Sequence, residues 1–229
     1  MNSAELARLD ITGPVRTIGT SRRALTGKVK LCTGGTAAFE SSLERDWLIA
    51  VDFDHQAVRV REQPFSVYYQ AAGKTRKYTP DLLVEYDSRR LGSNVVVYEV
   101  KFLEDLQADW REFRPRFKAA IRYCRARGWR FKIVTERQIR TSFVENAKFF
   151  RRYRGLPEQK LFGEQLVYTL RALGETTPQA LLAAAYLHDE MRMAALPELW
   201  RLIACRRIGA LFDESVTMQS PIWLSEAES

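Results

Sequence analysis

Cysteine, histidine and long apolar runs are what this chain has least of. Its 229 residues include three cysteines, Cys32, Cys124 and Cys205, far apart and outside any CxxC pair. That spacing disfavours both a disulfide framework and a structural zinc site. His55 and His188 are the two histidines, poor support for triad hydrolysis or histidine-rich metal chemistry. No apolar stretch approaches the roughly 20 residues that a membrane span requires. The opening MNSAELARLDITG lacks the apolar region of a secretory signal. A cytoplasmic protein with no membrane association is expected.

Positive charge is what the chain does have. Thirty-six Lys and Arg stand against 28 Asp and Glu, for a net charge of +8 and a pI of about 9.5. Between Lys101 and Arg154 alone there are 16 basic and 6 acidic residues, so the remainder is slightly acidic. A local excess of this kind favours a polyanionic partner such as nucleic acid, with a solvated helix face as the competing explanation. Hydrophobic residues make up 46% of the chain, enough for a core, and the length accommodates two compact domains.

Residues 1–35 are rich in Gly, Thr and Ser and carry Arg22 and Arg23. They read as a basic irregular arm, able to touch DNA or a partner protein. A helix is expected from Thr36 to about Val51, with Phe39, Leu43, Trp47 and Val51 on its buried face. Glu44 lies beside that face and Glu40 one turn earlier. A carboxylate in such a place needs either a salt-bridge partner or a metal.

Strand-like alternation follows at Val58 and Val60, then at Phe65, Val67 and Tyr69, and Gly73 marks a hairpin connection. Leu82, Val84 and Tyr86 alternate next, so Asp81 opens a strand. NVVVYEVK is nearly continuous in apolar residues, the mark of a central strand covered on both faces. Glu99 and Lys101, two apart, project from the same side of it. A charged pair on a buried strand is costly, and function is the usual reason it is tolerated. Asp81, Glu99 and Lys101 together are the residue types that Mg²⁺-dependent phosphodiester hydrolysis needs.

Beyond Lys101 the pattern turns helical. Trp110, Phe113, Phe117, Ile121 and Cys124 make an apolar stripe; Arg111, Arg114, Lys118, Arg122 and Arg125 make a basic one, placed to lie along phosphates. Pro115 must kink this helix or mark its start. Gly128 ends it, and WRFKIVTE is a further strand. The result is an α/β domain over residues 36–140, a mixed β-sheet core flanked by helices. Residues 141–155 read as a linker helix. Residues 156–229 read as three helices and a hairpin, a small, mostly helical, winged-helix-like domain. Thr177-Pro178 caps one of its helices.

Pro80-Asp81, seventeen residues, then Glu99-Val100-Lys101 resembles the motif of the PD-(D/E)xK superfamily, whose restriction-endonuclease-like core has this element order. The wider stretch SSLERDWLIAVDFDHQAVRVREQPF, with KYTPDLLVEY and VVVYEVK, resembles the TnsA family of endonuclease subunits of heteromeric transposases, over about residues 36–140. The resemblance implies that Asp81 and Glu99 bind metal, that Glu44 completes the site, and that Lys101 is the catalytic lysine. Glu99 stands where some members have Gln. Asp54 falls near an acidic position of the family; Glu40 has no such support. The family further implies Mg²⁺, with Mn²⁺ able to substitute, and cleavage of the 5′ ends of a transposon. Transposon-end DNA, a TnsB-like DDE transposase and a TnsC-like AAA+ ATPase are the implied partners. A stand-alone restriction or repair nuclease, and a DNA- or protein-binding scaffold on a nuclease fold, are the alternatives.

Overall fold

The computed structural model describes residues 25–32, 34–87 and 94–225. Arg22, Arg23 and most of the expected arm lie outside the described residues. The chain divides into two compact units between Ile139 and Arg140.

The first unit is mixed α/β. Strands β1 (Gly27–Lys30) and β2 (Thr36–Phe39) form an antiparallel hairpin. Gly34 and Gly35 turn it, at φ of 100° and 80°, where a side chain would be strained. The end of the expected arm is therefore a hairpin, and the helix expected from Thr36 begins later. It is α1 (Ser42–Phe53), started by Ser41, whose side chain accepts from Glu44 N at 3.1 Å.

Next come β3 (Ala57–Glu62), β4 (Val67–Ala71), β5 (Lys74–Tyr78), β6 (Leu82–Tyr86) and β7 (Val95–Val100). Helices α2 (Leu103–Ala108) and α3 (Trp110–Arg125) follow, then β8 (Arg130–Val134) and the short α4 (Glu136–Ile139). Four strands form one sheet in the order β3-β6-β7-β8. Its pairs are antiparallel except β7 with β8, which a crossover through α2 and α3 makes parallel. β4 and β5 form a separate hairpin.

As its apolar run requires, β7 is central, with five of its six residues buried. Its Val97 packs with Leu83, Phe65, Tyr78 and the inner face of α3, namely Phe117, Ala120 and Cys124. Trp110, expected in that stripe, is instead 47% exposed: it is the first residue of α3 and lies beyond the sheet contact. Pro115 sits within α3 without ending it. Gly128, at φ of 70°, closes the turn after the helix as Trp129 N donates to Cys124 O at 2.9 Å.

The second unit holds α5 (Ser142–Arg154), α6 (Lys160–Leu173), α7 (Pro178–Ala185), α8 (Asp189–Ala204) and the antiparallel pair β9 (Ile208–Ala210) and β10 (Ile222–Leu224). The helix expected as a linker is α5. It contributes Val144, Ala147 and Phe150 to the core of this unit, with Phe150 against Trp200 and Phe212. Thr177 caps α7, accepting from Ala180 N at 3.2 Å, and Pro178 occupies the first turn where its missing N–H costs nothing. Helix α8 carries Pro197 inside it.

Candidate active site

Asp81 lies in the link before β6. Its Oδ2 accepts from Val100 N at 2.7 Å, and its backbone oxygen accepts from Gln63 N at 2.9 Å. Those two bonds fix the carboxylate beside the end of β7. Glu99, one residue from that end, is 2% exposed. Lys101 is the first residue beyond β7, held by its own N–H to Val134 O at 3.1 Å. Its Nζ stands 3.2 Å from Glu99 Oε1 and 3.6 Å from Asp81 Oδ2, and donates to Val100 O at 3.0 Å. The same-side placement that strand periodicity demands for Glu99 and Lys101 is thus an ion pair.

Glu44 arrives from the first turn of α1. Its Oε2 accepts from Glu40 N at 2.8 Å and its Oε1 from Ser41 Oγ at 3.1 Å. This reciprocal cap, Ser41 with Glu44 three residues on, orients the carboxylate. Each oxygen keeps a second lone pair for another donor or a cation. Among the described residues no arginine pairs with Glu44; the cation acting on it is Lys101.

Glu44, Asp81, Glu99 and Lys101 line one cleft of about 340 Å³, joined by Glu40, Gln63, Tyr78 and Arg116. Asp54 is not on that wall; its Oδ1 accepts from Gln56 N at 3.0 Å, in the turn that ends α1. Arg111, Arg114, Lys118 and Arg122 line a different groove, against β4 and β5. Arg125 is exposed at the far end of α3.

Three cleft residues escape the motif. Tyr78 donates its hydroxyl to Glu99 Oε2 at 2.5 Å. Arg116 places Nη2 3.9 Å from Glu99 Oε1 and its guanidinium over the Phe113 ring, 4.1 Å from the centroid. Gln63 is buried, at a φ of 42°, with its Oε1 lacking a partner among the described residues.

The electrostatics are those of three carboxylates sharing one ammonium. Burial first, then the negative charge of Asp81, pushes Glu99 up to about 7, against the pull of Lys101, Tyr78 and Arg116. The same two causes raise Glu44. Burial alone would favour neutral Lys101, but Asp81, Glu99 and Glu44 outweigh it and hold the amine above the ordinary lysine value. Both partners of the Glu99–Lys101 pair are raised because each answers to the whole cluster. Lys101 is therefore an ammonium at neutral pH and cannot take a proton from water.

Residues 54–136 match the family described as TnsA-like endonuclease N terminal. This segment is similar to TnsA-like endonuclease N-terminal domains. Asp81, Glu99, Lys101, Tyr78 and Arg116 fall inside the matched TnsA-like segment, whereas Glu44 and Glu40 precede it. Comparison with curated proteins finds no match.

Among the described residues, no three His, Cys, Asp or Glu side chains form a closed cluster able to hold a metal. The donor set still fits Mg²⁺. That ion takes hard oxygen donors, binding through one or two protein carboxylates and leaving its other positions to water and phosphate. Asp81 and Glu99 are such a pair at the end of β7; Glu99 is raised by burial first and by the charge of Asp81 second, and a cation between them would offset both.

Proposed function

We propose that the chain is the metal-dependent endonuclease subunit of a heteromeric transposase, hydrolysing the 5′ ends of the transposon. The observation that carries this reading is the convergence of Glu44, Asp81, Glu99 and Lys101 on one cleft, the last three of them within the stretch similar to TnsA-like endonucleases. Asp81 and Glu99 would hold Mg²⁺ or Mn²⁺, with Glu44 completing the site. The cation would supply Lewis-acid stabilisation of the scissile phosphate and a bound water of lowered pKa.

The remaining roles belong to the chain. Lys101, kept charged by its three carboxylates, donates hydrogen bonds: it orients the attacking water or steadies the charge developing on phosphate. Tyr78 and Arg116 hold Glu99 in place and favour its ionised form. Charge neutralisation by Arg111, Arg114, Lys118 and Arg122 draws DNA to the same unit.

A TnsB-like DDE transposase and a TnsC-like AAA+ ATPase are the partners this reading requires, together with transposon-end DNA. Helices α6, α7 and α8 with the β9–β10 pair of the second unit are compatible with a winged-helix-like module that meets DNA or those partners. A location in the cytoplasm follows from the same reading; no helix among the described residues is long and apolar enough to cross a membrane.

Incubating the protein and Mg²⁺ with transposon-end DNA, with and without the transposase partner, tests the proposal. Cleavage of the 5′ ends is expected only with the partner, and loss of that cleavage in Asp81→Ala and Lys101→Ala. Robust cutting by the protein alone would refute the subunit assignment. Full activity in either variant would refute the catalytic one.

A further inference from the structure

The first unit has a second concavity, a groove of about 1010 Å³ between the β4–β5 hairpin and α3. Two kinds of side chain meet in it. Tyr68 and Trp110 present ring surface to solvent, at 69% and 47% exposure. Trp110 leans on Phe117, with ring centroids 6.2 Å apart, and keeps its other side open to solvent. Arg111, Arg114, Lys118 and Arg122 follow at helical spacing along one wall, spanning about 16 Å of helix. Among the described residues none of these four cations has an acidic partner.

The groove and the carboxylate cleft are neighbours across the β4–β5 hairpin. Tyr68 pairs with Lys77 across the hairpin, and Lys77 lines the cleft. Directly opposed residues of an antiparallel pair project from the same face, with Cβ atoms about 5 Å apart. A strand leaving the cleft past Lys77 therefore meets Tyr68 next.

Four unpaired cations would suit any polyanion, but the rings narrow the choice. A duplex keeps its base faces stacked inside and offers phosphates and groove edges to a protein. Exposed ring faces beside a line of cations suit unpaired bases, which stack on aromatic side chains while their phosphates track the positive charge. We propose that this groove binds a single-stranded stretch of DNA next to the cleavage point, with bases stacked on Tyr68 and Trp110. The proposal rests on reading the neighbouring cleft as the cutting site.

The test is fluorescence anisotropy with the full chain in EDTA, using a labelled oligothymidylate of about 15 nucleotides and a duplex of equal length. Tyr68→Ala and Trp110→Ala should each weaken single-strand binding about tenfold, the scale of one stacked base, and duplex binding less than about twofold. Tyr68→Phe should bind as wild type. Lys118→Ala should weaken both ligands and lower the salt slope by about one. Tyr68 is mostly exposed, so its removal leaves the fold intact, and the melting temperature verifies that.

Aromatic variants that bind the single strand as tightly as wild type, or that lose duplex and single strand equally, overturn the proposal. Selective loss of single-strand binding in a protein that cuts no transposon end even with the transposase partner supports the groove and refutes the nuclease reading alone.

Discussion

Glu99→Gln should make the metal-free protein more stable at pH 8 and leave it unchanged near pH 4.5. Glu99 is 2% exposed, and burial with the charge of Asp81 moves it from the ordinary 4.5 to about 7. Between those two pH values the native state keeps a proton that the unfolded chain has released. Stability therefore falls as pH rises through that window, and the loss is complete above it. At about 1.36 kcal/mol per pH unit the loss reaches roughly 3 kcal/mol.

Glutamine does not titrate, matches the shape of glutamate, and can still accept the Tyr78 hydroxyl. Lys101 keeps Asp81 at 3.6 Å. Allowing for the lost Lys101 contact, a gain of about 1–3 kcal/mol is expected at pH 8, or about 2–10 °C in Tm for a chain of this size. Differential scanning calorimetry in EDTA at both pH values measures it. A variant less stable than wild type at pH 8, or a difference independent of pH, would refute the reasoning.

Arg116→Met keeps the packing against Phe113 but removes a positive charge 3.9 Å from Glu99. Glu99 should rise further, moving the acidic limb of Mg²⁺-dependent cleavage up by about 0.5–1 pH unit; an unmoved limb in the pH–rate profile counts against the contact. In the second unit, Glu198, 1% exposed, accepts from Arg201 Nε at 2.8 Å and Nη2 at 2.7 Å, and from Gln159 N at 3.1 Å. Glu198→Ala strands a buried guanidinium and should cost about 3 kcal/mol in urea unfolding of the whole chain. A cost below about 1 kcal/mol would show that Glu158, 3.2 Å from Arg201, suffices.

Much of this was legible in residue spacing because the physics involved is local. A period of two places Glu99 and Lys101 on one side of β7, whatever the rest of the chain does. The apolar run around them requires a central strand, and β7 has neighbours on both sides. Asp81 is visible because it stands just before an alternating strand. Arg116 carried an available signal: it falls between Phe113, Phe117 and Ala120 on the apolar face of α3, the same costly placement that singles out Glu99. Sorting the helix's basic residues into one outer stripe hides it.

Other features depend on tertiary pairing. Tyr78 reaches Glu99 because the β4–β5 hairpin sets its position. The φ of Gln63 comes from the turn into Pro64 and has no compositional mark. The β1–β2 hairpin was marked by Gly34-Gly35 between two short runs, but so brief a pair gives almost no periodicity. Trp110 misleads because an aromatic residue at helical spacing is usually core, and here the helix starts before the core does.

The most direct measurement is calorimetric titration of the full chain with Mn²⁺ at pH 7, in two buffers of different ionisation enthalpy. Because burial and Asp81 raise Glu99, metal binding should release protons in wild type and measurably fewer in Glu99→Gln. Asp81→Ala should lose the binding. Mn²⁺ that binds Asp81→Ala as well as wild type, or binds with no proton release, would contradict a metal seated at the end of β7.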